Sequence, residues 1–366
     1  MNKNQDIQVL RGIAIILVVL QHYRNRLPTP DWYHGMFDHV AFWGGVDIFF
    51  AISGYLIYKT FARDMDVEPS KFDAIRGFAR RRFLRLYPAS LFWVCFSVVV
   101  SLIVTTAAHN DPMKIAQSGL SALMGWSNFY YVHCLPDIAS CGNPDFNGVT
   151  WSLSAEWQFY AILSLLMLIV GKRTAVLALL AIAIVMSSFP APSWSLLWAI
   201  RPLAFILGAF IASITSTKAL RIPPTIAMLA LCSGIALVVL APVKLDQPLV
   251  VPALALGGAL CLLSALGGAN YSGPLSGPVR WIGERSYSIY LCHLPIILLT
   301  REAMTRLGMM DATFFNTAVS MLIVATLILT ASHISFLLIE TRVQRKFGRR
   351  HQETSAARSD RSERIS

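Results

Sequence analysis

Charge is scarce in this sequence. Of its 366 residues only 14% are Asp, Glu, Lys or Arg. A soluble domain carries about 25% charged residues, so a water-facing surface of this size is excluded. The tight polar–apolar alternation of a membrane β-barrel is also missing. There is no internal repeat and no second soluble domain. No small-residue cleavage site follows the first apolar block, so that block reads as a retained helix and not as a signal peptide.

What the chain has in quantity is apolar length. Hydrophobic residues make up 55% of it, and the mean hydropathy is +0.56. They fall in long blocks, and about 20 apolar residues suffice to cross the hydrocarbon as a helix. The expectation is an all-α fold, a polytopic transmembrane bundle of about ten spans. These lie near 7–27, 41–60, 83–107, 151–170, 174–189, 195–216, 224–241, 249–268, 283–302 and 314–339. They form one transmembrane domain over 1–347, followed by a disordered tail over 348–366 that is rich in Arg, Ser and Glu.

The net charge of +11 does not point to nucleic acid, because the basic residues cluster in short loops between apolar blocks. Lys59, Arg63, Lys71, Arg76, Arg80, Arg81, Arg82 and Arg85 lie between spans two and three. Lys172 and Arg173, Lys218 and Arg221, and the group from Arg342 to Arg350 fall on the same side if the spans number ten. Positive loops stay inside, which puts both termini in the cytoplasm and the segment 108–150 outside. That segment holds Cys134 and Cys141, while Cys95, Cys232, Cys261 and Cys292 lie within spans. A disulfide between the two loop cysteines fits an oxidising compartment; two free thiols are the alternative.

Ionisable residues inside spans are costly and tend to mark functional sites. Arg11 and His22 are eleven residues apart in span one. They share a face and are separated by roughly 16 Å. Alternatively, Arg11 snorkels to the interface and His22 is satisfied by a neighbour. Asp47, near the outer end of span two, is expected at the depth of His22, close enough to orient its imidazole; a helix-capping role is the other reading. Arg82 and Arg85 are one turn apart at the cytoplasmic end of span three, where guanidinium forks suit phosphate oxygens or merely fix topology. Ser152, Glu156 and Tyr160 form a polar stripe entering span four, with Glu156 expected near His22 and Asp47. Ser286, Tyr290 and His293 share a face of span nine. Ser286 and His293 are seven residues apart, roughly 10 Å, too far for a nucleophile–base pair. His293 is read as lining the cavity, with core packing as the alternative. His333 and Glu340 share a face of the last span and stay ambiguous.

In this order these residues resemble acyltransferase family 3 of membrane proteins. The matching motifs are Arg11-x10-His22, the Gly45-to-Gly54 segment, Phe78-x3-Arg82-x2-Arg85-x2-Pro88, Trp151-Ser152-Leu153-x2-Glu156 and Ser286-x-Ser288-x-Tyr290-x2-His293. They cover most of spans one to four and nine to ten; spans five to eight carry no matching motif. The family often has Pro two residues after the glutamate that matches Glu340, where this chain has Arg342. The resemblance implies a multi-pass enzyme of the bacterial inner membrane. It would take an acyl group, usually acetyl, from cytoplasmic acyl-CoA to a hydroxyl of a polysaccharide, lipid-linked sugar, peptidoglycan or secreted small molecule. Acetyl-CoA is then a donor substrate, and no permanently bound cofactor and no metal are expected.

Taken together, Arg11, Arg82 and Arg85 would hold CoA phosphates at the cytoplasmic end. His22, backed by Asp47, would take the acceptor's proton, and Glu156 would orient the acceptor or share the proton. Ser152, Tyr160, Ser286, Tyr290 and His293 would line the cavity between. A transporter or flippase with a proton-coupled charge network is the alternative from another class, but the paired broken helices it needs are not apparent. A purely structural membrane protein leaves the ionisable residues without a purpose.

Overall fold

The computed structural model describes residues 4–215, 220, 222–268, 271–343 and 345–346, and among these there is no strand. The expected tail over 348–366 lies outside the described residues. Each of the ten apolar blocks forms helix. They correspond to α1 (Gln5–Tyr23), α3 (Gly45–Val67), α4 (Lys71–Ile103), α8 (Thr150–Val170), α9 (Lys172–Ser187), α10 with α11 (Leu196–Ile200, Leu203–Thr215), α12 (Pro224–Lys244), α13 (Val250–Leu266), α15 (Ser286–Arg306) and α16 (Phe314–Ser335). Among the described residues, six helical segments are long and apolar enough to cross a membrane: α1, α4, α8, α10–α11, α12 and α16 with the turn after it. α9 and α13, with 16 and 17 residues, are shorter. α3 and α15 are long enough, but their polar residues lower the mean hydropathy.

Two elements differ from the sequence expectation. α4 begins twelve residues before the expected span, capped by Ser70, which accepts from the Asp73 amide. Arg82 and Arg85 therefore sit on a continuous helix and not at its entrance. The segment 108–150 is largely helical: α5 (Pro112–Leu123), α6 (Ser127–Cys134) and α7 (Ile138–Cys141) occupy it. Asp111 caps α5 and Pro112 follows it, a start signal legible in the sequence. Cys134 and Cys141 are joined as a disulfide.

α3 is the hub, packed against α1, α4, α8, α11 and α13. Two glycines let it touch α11 backbone to backbone. A Cβ on Gly54 would lie 1.8 Å from the Phe205 carbonyl oxygen, and one on Gly208 would lie 1.9 Å from that of Ala51. Small residues at such crossings let van der Waals packing act where lipid offers no hydrophobic drive. α1 is held by α14 (Ser276–Glu284) and α15. With α3 and α8, these helices enclose the residues singled out above.

Candidate active site

The first cavity is built by α1, α3, α4, α8 and α15. Arg11, Arg82 and Arg85 line it together with Glu156, Tyr160, Ser152, Ser286 and Tyr290. The Arg11 Nε–H donates to Ser286 Oγ at 3.1 Å. Arg82 lies over the rings of Phe78 and Tyr160, 5.6 Å from each. Ser53 and Tyr160 both donate hydroxyl hydrogen bonds to the Glu156 carboxylate. Three guanidiniums thus face one carboxylate, an imbalance that favours an anion. The cavity encloses about 80 Å³, space for roughly half a dozen waters at 10–15 Å³ each.

His22 lines a second, larger cavity of about 680 Å³, shared with Arg26, Asp145, Trp151 and Trp194. The two are joined through a layer of hydrogen-bonded residues. In it the Tyr290 hydroxyl donates to the Val149 carbonyl at 2.9 Å and shares a 2.7 Å hydrogen bond with Ser152 Oγ. Ser152 and Tyr290 line the arginine cavity, and Val149 lines the other. α1 therefore serves both, carrying Arg11 to one cavity and His22 to the other.

The hydrogen bonds around His22 assign its protons. Its Nδ1 lies 2.8 Å from the Val18 carbonyl, which can only accept, so Nδ1 carries the hydrogen. His293 Nδ1 sits 2.8 Å and 3.1 Å from the carbonyls of Tyr290 and Ile289 and is protonated by the same reasoning. His293 Nε2 is then an acceptor, 3.3 Å from His22 Nδ1, and the rings lie 5.0 Å apart. The lone pair of neutral His22 is left on Nε2, the nitrogen a general base needs.

Three sequence expectations are corrected here. Asp47 does not back His22: its carboxylate lies 3.5 Å from Arg201, and both side chains are 1% exposed. The reason is rotational. The α3 backbone at Asp47 packs on Gly258 of α13, and α3 lies along α11, so the side chain turns toward the α10–α11 break. Glu156 does not line a cavity with His22, but belongs to the arginine cavity. His293 lines neither cavity; it is fully buried and supports the His22 ring. The ambiguous pair also finds partners: His333 Nδ1 accepts from Arg285 Nε at 2.9 Å. Glu340, in the π-helical turn Phe336–Thr341, accepts from Ser288 Oγ at 2.5 Å.

The family model for an acyltransferase domain matches residues 4–334. The chain belongs to this acyltransferase family. It is 27% identical to the peptidoglycan O-acetyltransferase OatA of Listeria monocytogenes, a match covering 93% of this chain and 56% of that protein. YrhL of Bacillus subtilis is 28% identical over 93% of this chain and 55% of its own length. BcsY of Komagataeibacter xylinus is 28% identical over 93% and 82%. The chain thus spans little more than half the length of two of these relatives. No solved structure matches it.

Arg201 was not singled out in the sequence, although a signal was there. It is an ionisable residue inside the apolar block 195–216, followed by Pro202. In the structure that pair breaks the span into α10 and α11. Ser53, which holds Glu156, carried no such signal: a single hydroxyl in an apolar helix is commonplace.

Proposed function

We propose that this acyltransferase moves an acyl group, acetyl being the expected one, from acyl-CoA to a hydroxyl of a glycan. The observation that carries the reading is the pair of unlike cavities on α1, a cationic one at Arg11 and one holding a histidine base at His22. In this reading Arg11, Arg82 and Arg85 hold donor phosphates. The thin pantetheine arm passes the Tyr290–Ser152 layer, and the roughly 16 Å between Arg11 and His22 is comparable to its extended length. His22 Nε2 takes the proton from the acceptor hydroxyl as its oxygen attacks the thioester carbonyl. The tetrahedral intermediate then expels the CoA thiolate, which recovers the proton from His22. Glu156 orients the donor's arm, since it lies on the arginine side.

The same reading assigns the ten-span arrangement, with the arginine cavity and both termini facing the cytoplasm of a bacterial inner membrane. Residues 1–347 form the catalytic domain. Family membership and the acetyltransferase named among the relatives argue against a transporter. The test is reconstitution in sealed liposomes. Labelled acetyl-CoA on the side of the arginine cavity should pass its label to a glycan on the other side, and the His22→Ala variant should not support this. Absence of transfer to any glycan, with no CoA released, would refute the reading.

A further inference from the structure

We propose that Trp194 is the stacking platform for a pyranose ring of the glycan acceptor in the His22 cavity. This rests on the acyltransferase reading for its purpose, but not for its evidence. At about 680 Å³ the cavity falls in the ~300–1,000 Å³ range of small-molecule sites. Its chemistry differs from that of the arginine cavity. Its charged residues Arg26 and Asp145 pair with each other, with Nε to Oδ2 at 2.7 Å, and both side chains are 21% exposed. A balanced pair does not select an anion. It presents donors and acceptors at the rim, which suits a neutral, hydroxyl-rich ligand.

The aromatic wall supplies the other half of sugar recognition. A pyranose has apolar C–H faces and polar edges, and its C–H bonds meet the electron-rich face of an indole favourably. Trp194 is half-buried and lines this cavity beside Trp151. It packs against Trp198, with ring centroids 4.7 Å apart, and against Tyr131 at 5.9 Å. Its backbone is unusual, with a φ of 68°, a conformation that bulky residues rarely adopt. Such strain is retained where the surroundings hold a residue for a purpose. Glycine would relax this position and still leave the turn intact; the sequence places the largest side chain there.

That contrast provides the test. Trp194→Gly relieves the backbone while removing the ring, and Trp194→Phe keeps a smaller aromatic face. Binding of the N-acetylglucosamine tetramer to the full-length protein in detergent would be measured by titration calorimetry, with the melting temperature of each variant recorded. Wild type should bind. Per folded molecule, Trp194→Gly should bind more than tenfold more weakly, and Trp194→Phe should fall between them. The proposal is overturned if wild type does not bind the tetramer or if Trp194→Gly binds it equally well. It is also overturned if binding falls only in step with loss of folded protein. Trp194-dependent binding without any acyl transfer would instead refute the proposed reaction and leave the sugar site standing.

Discussion

Asp47 and Arg201 face each other across 3.5 Å in the interior, and no nitrogen or oxygen of either side chain's charged group has a hydrogen-bond partner. The guanidinium is packed instead among Trp198, Trp151 and Trp43, at 4.6, 4.8 and 5.0 Å from their ring centres. The pair is thus held by charge and by aromatic faces, and Trp151 connects it to the wall of the His22 cavity.

Breaking that pair leaves a bare buried charge, which costs about 3–5 kcal/mol. Asp47→Asn should therefore lower the melting temperature sharply while turnover per folded molecule stays within a few-fold of wild type. The double variant Asp47→Leu/Arg201→Met should recover most of the stability, as hydrophobic replacement of buried pairs often does. A large drop in normalised turnover at unchanged melting temperature would instead place Asp47 in the chemistry.

His22→Ala should reduce transfer by the 10²–10⁴-fold typical of a lost general base, with the protein still folded. His293→Gln removes the acceptor nitrogen behind the ring. It should lower kcat with little change in either KM. The rate should also decline as pH falls, because a protonated His22 cannot accept the acceptor's proton. Near-normal turnover by folded His22→Ala would exclude the base role.

Arg82→Ala and Arg85→Ala should each weaken donor binding by about 1.5–3 kcal/mol, the usual worth of a hydrogen bond to a charged group. The loss should appear in the donor's KM and spare the acceptor's. The opposite pattern would exchange the roles of the two cavities.

Gly54→Leu should prevent stable folding, since even its Cβ would lie 1.8 Å from the Phe205 carbonyl oxygen, on the backbone of the neighbouring helix. Gly54→Ala should already destabilise by about 1–3 kcal/mol or more, the usual cost of overpacking. Thermal melts in detergent would measure both. A wild-type melting temperature for Gly54→Ala would contradict the close α3–α11 contact.

The sequence made the helices legible because membrane crossing demands long apolar blocks, and each expected block is a helix. Arg11, Arg82, Arg85, Glu156 and Tyr160 were legible as residues that share a cavity because a polar group in such a block needs a cavity or a partner. The partner of Asp47 was not. Matching depths along two helices fixes how far along each a residue lies, but not which way it points. That rotation is set by contacts such as Gly258 on the Asp47 backbone, between residues about two hundred positions apart. The same limit hid the separation of Glu156 from His22.

α1 has a further consequence as a gauge. Arg11 and His22 are spaced by an unbroken ladder of backbone hydrogen bonds, not by a hinge or a loop. Adding or deleting one residue between them would change their separation by only ~1.5 Å, but would swing the imidazole by ~100° around the helix axis. His22 would then turn away from the second cavity while Arg11 stayed in the first. The spacing between Arg11 and His22 is therefore quantised, and it cannot be tuned one residue at a time.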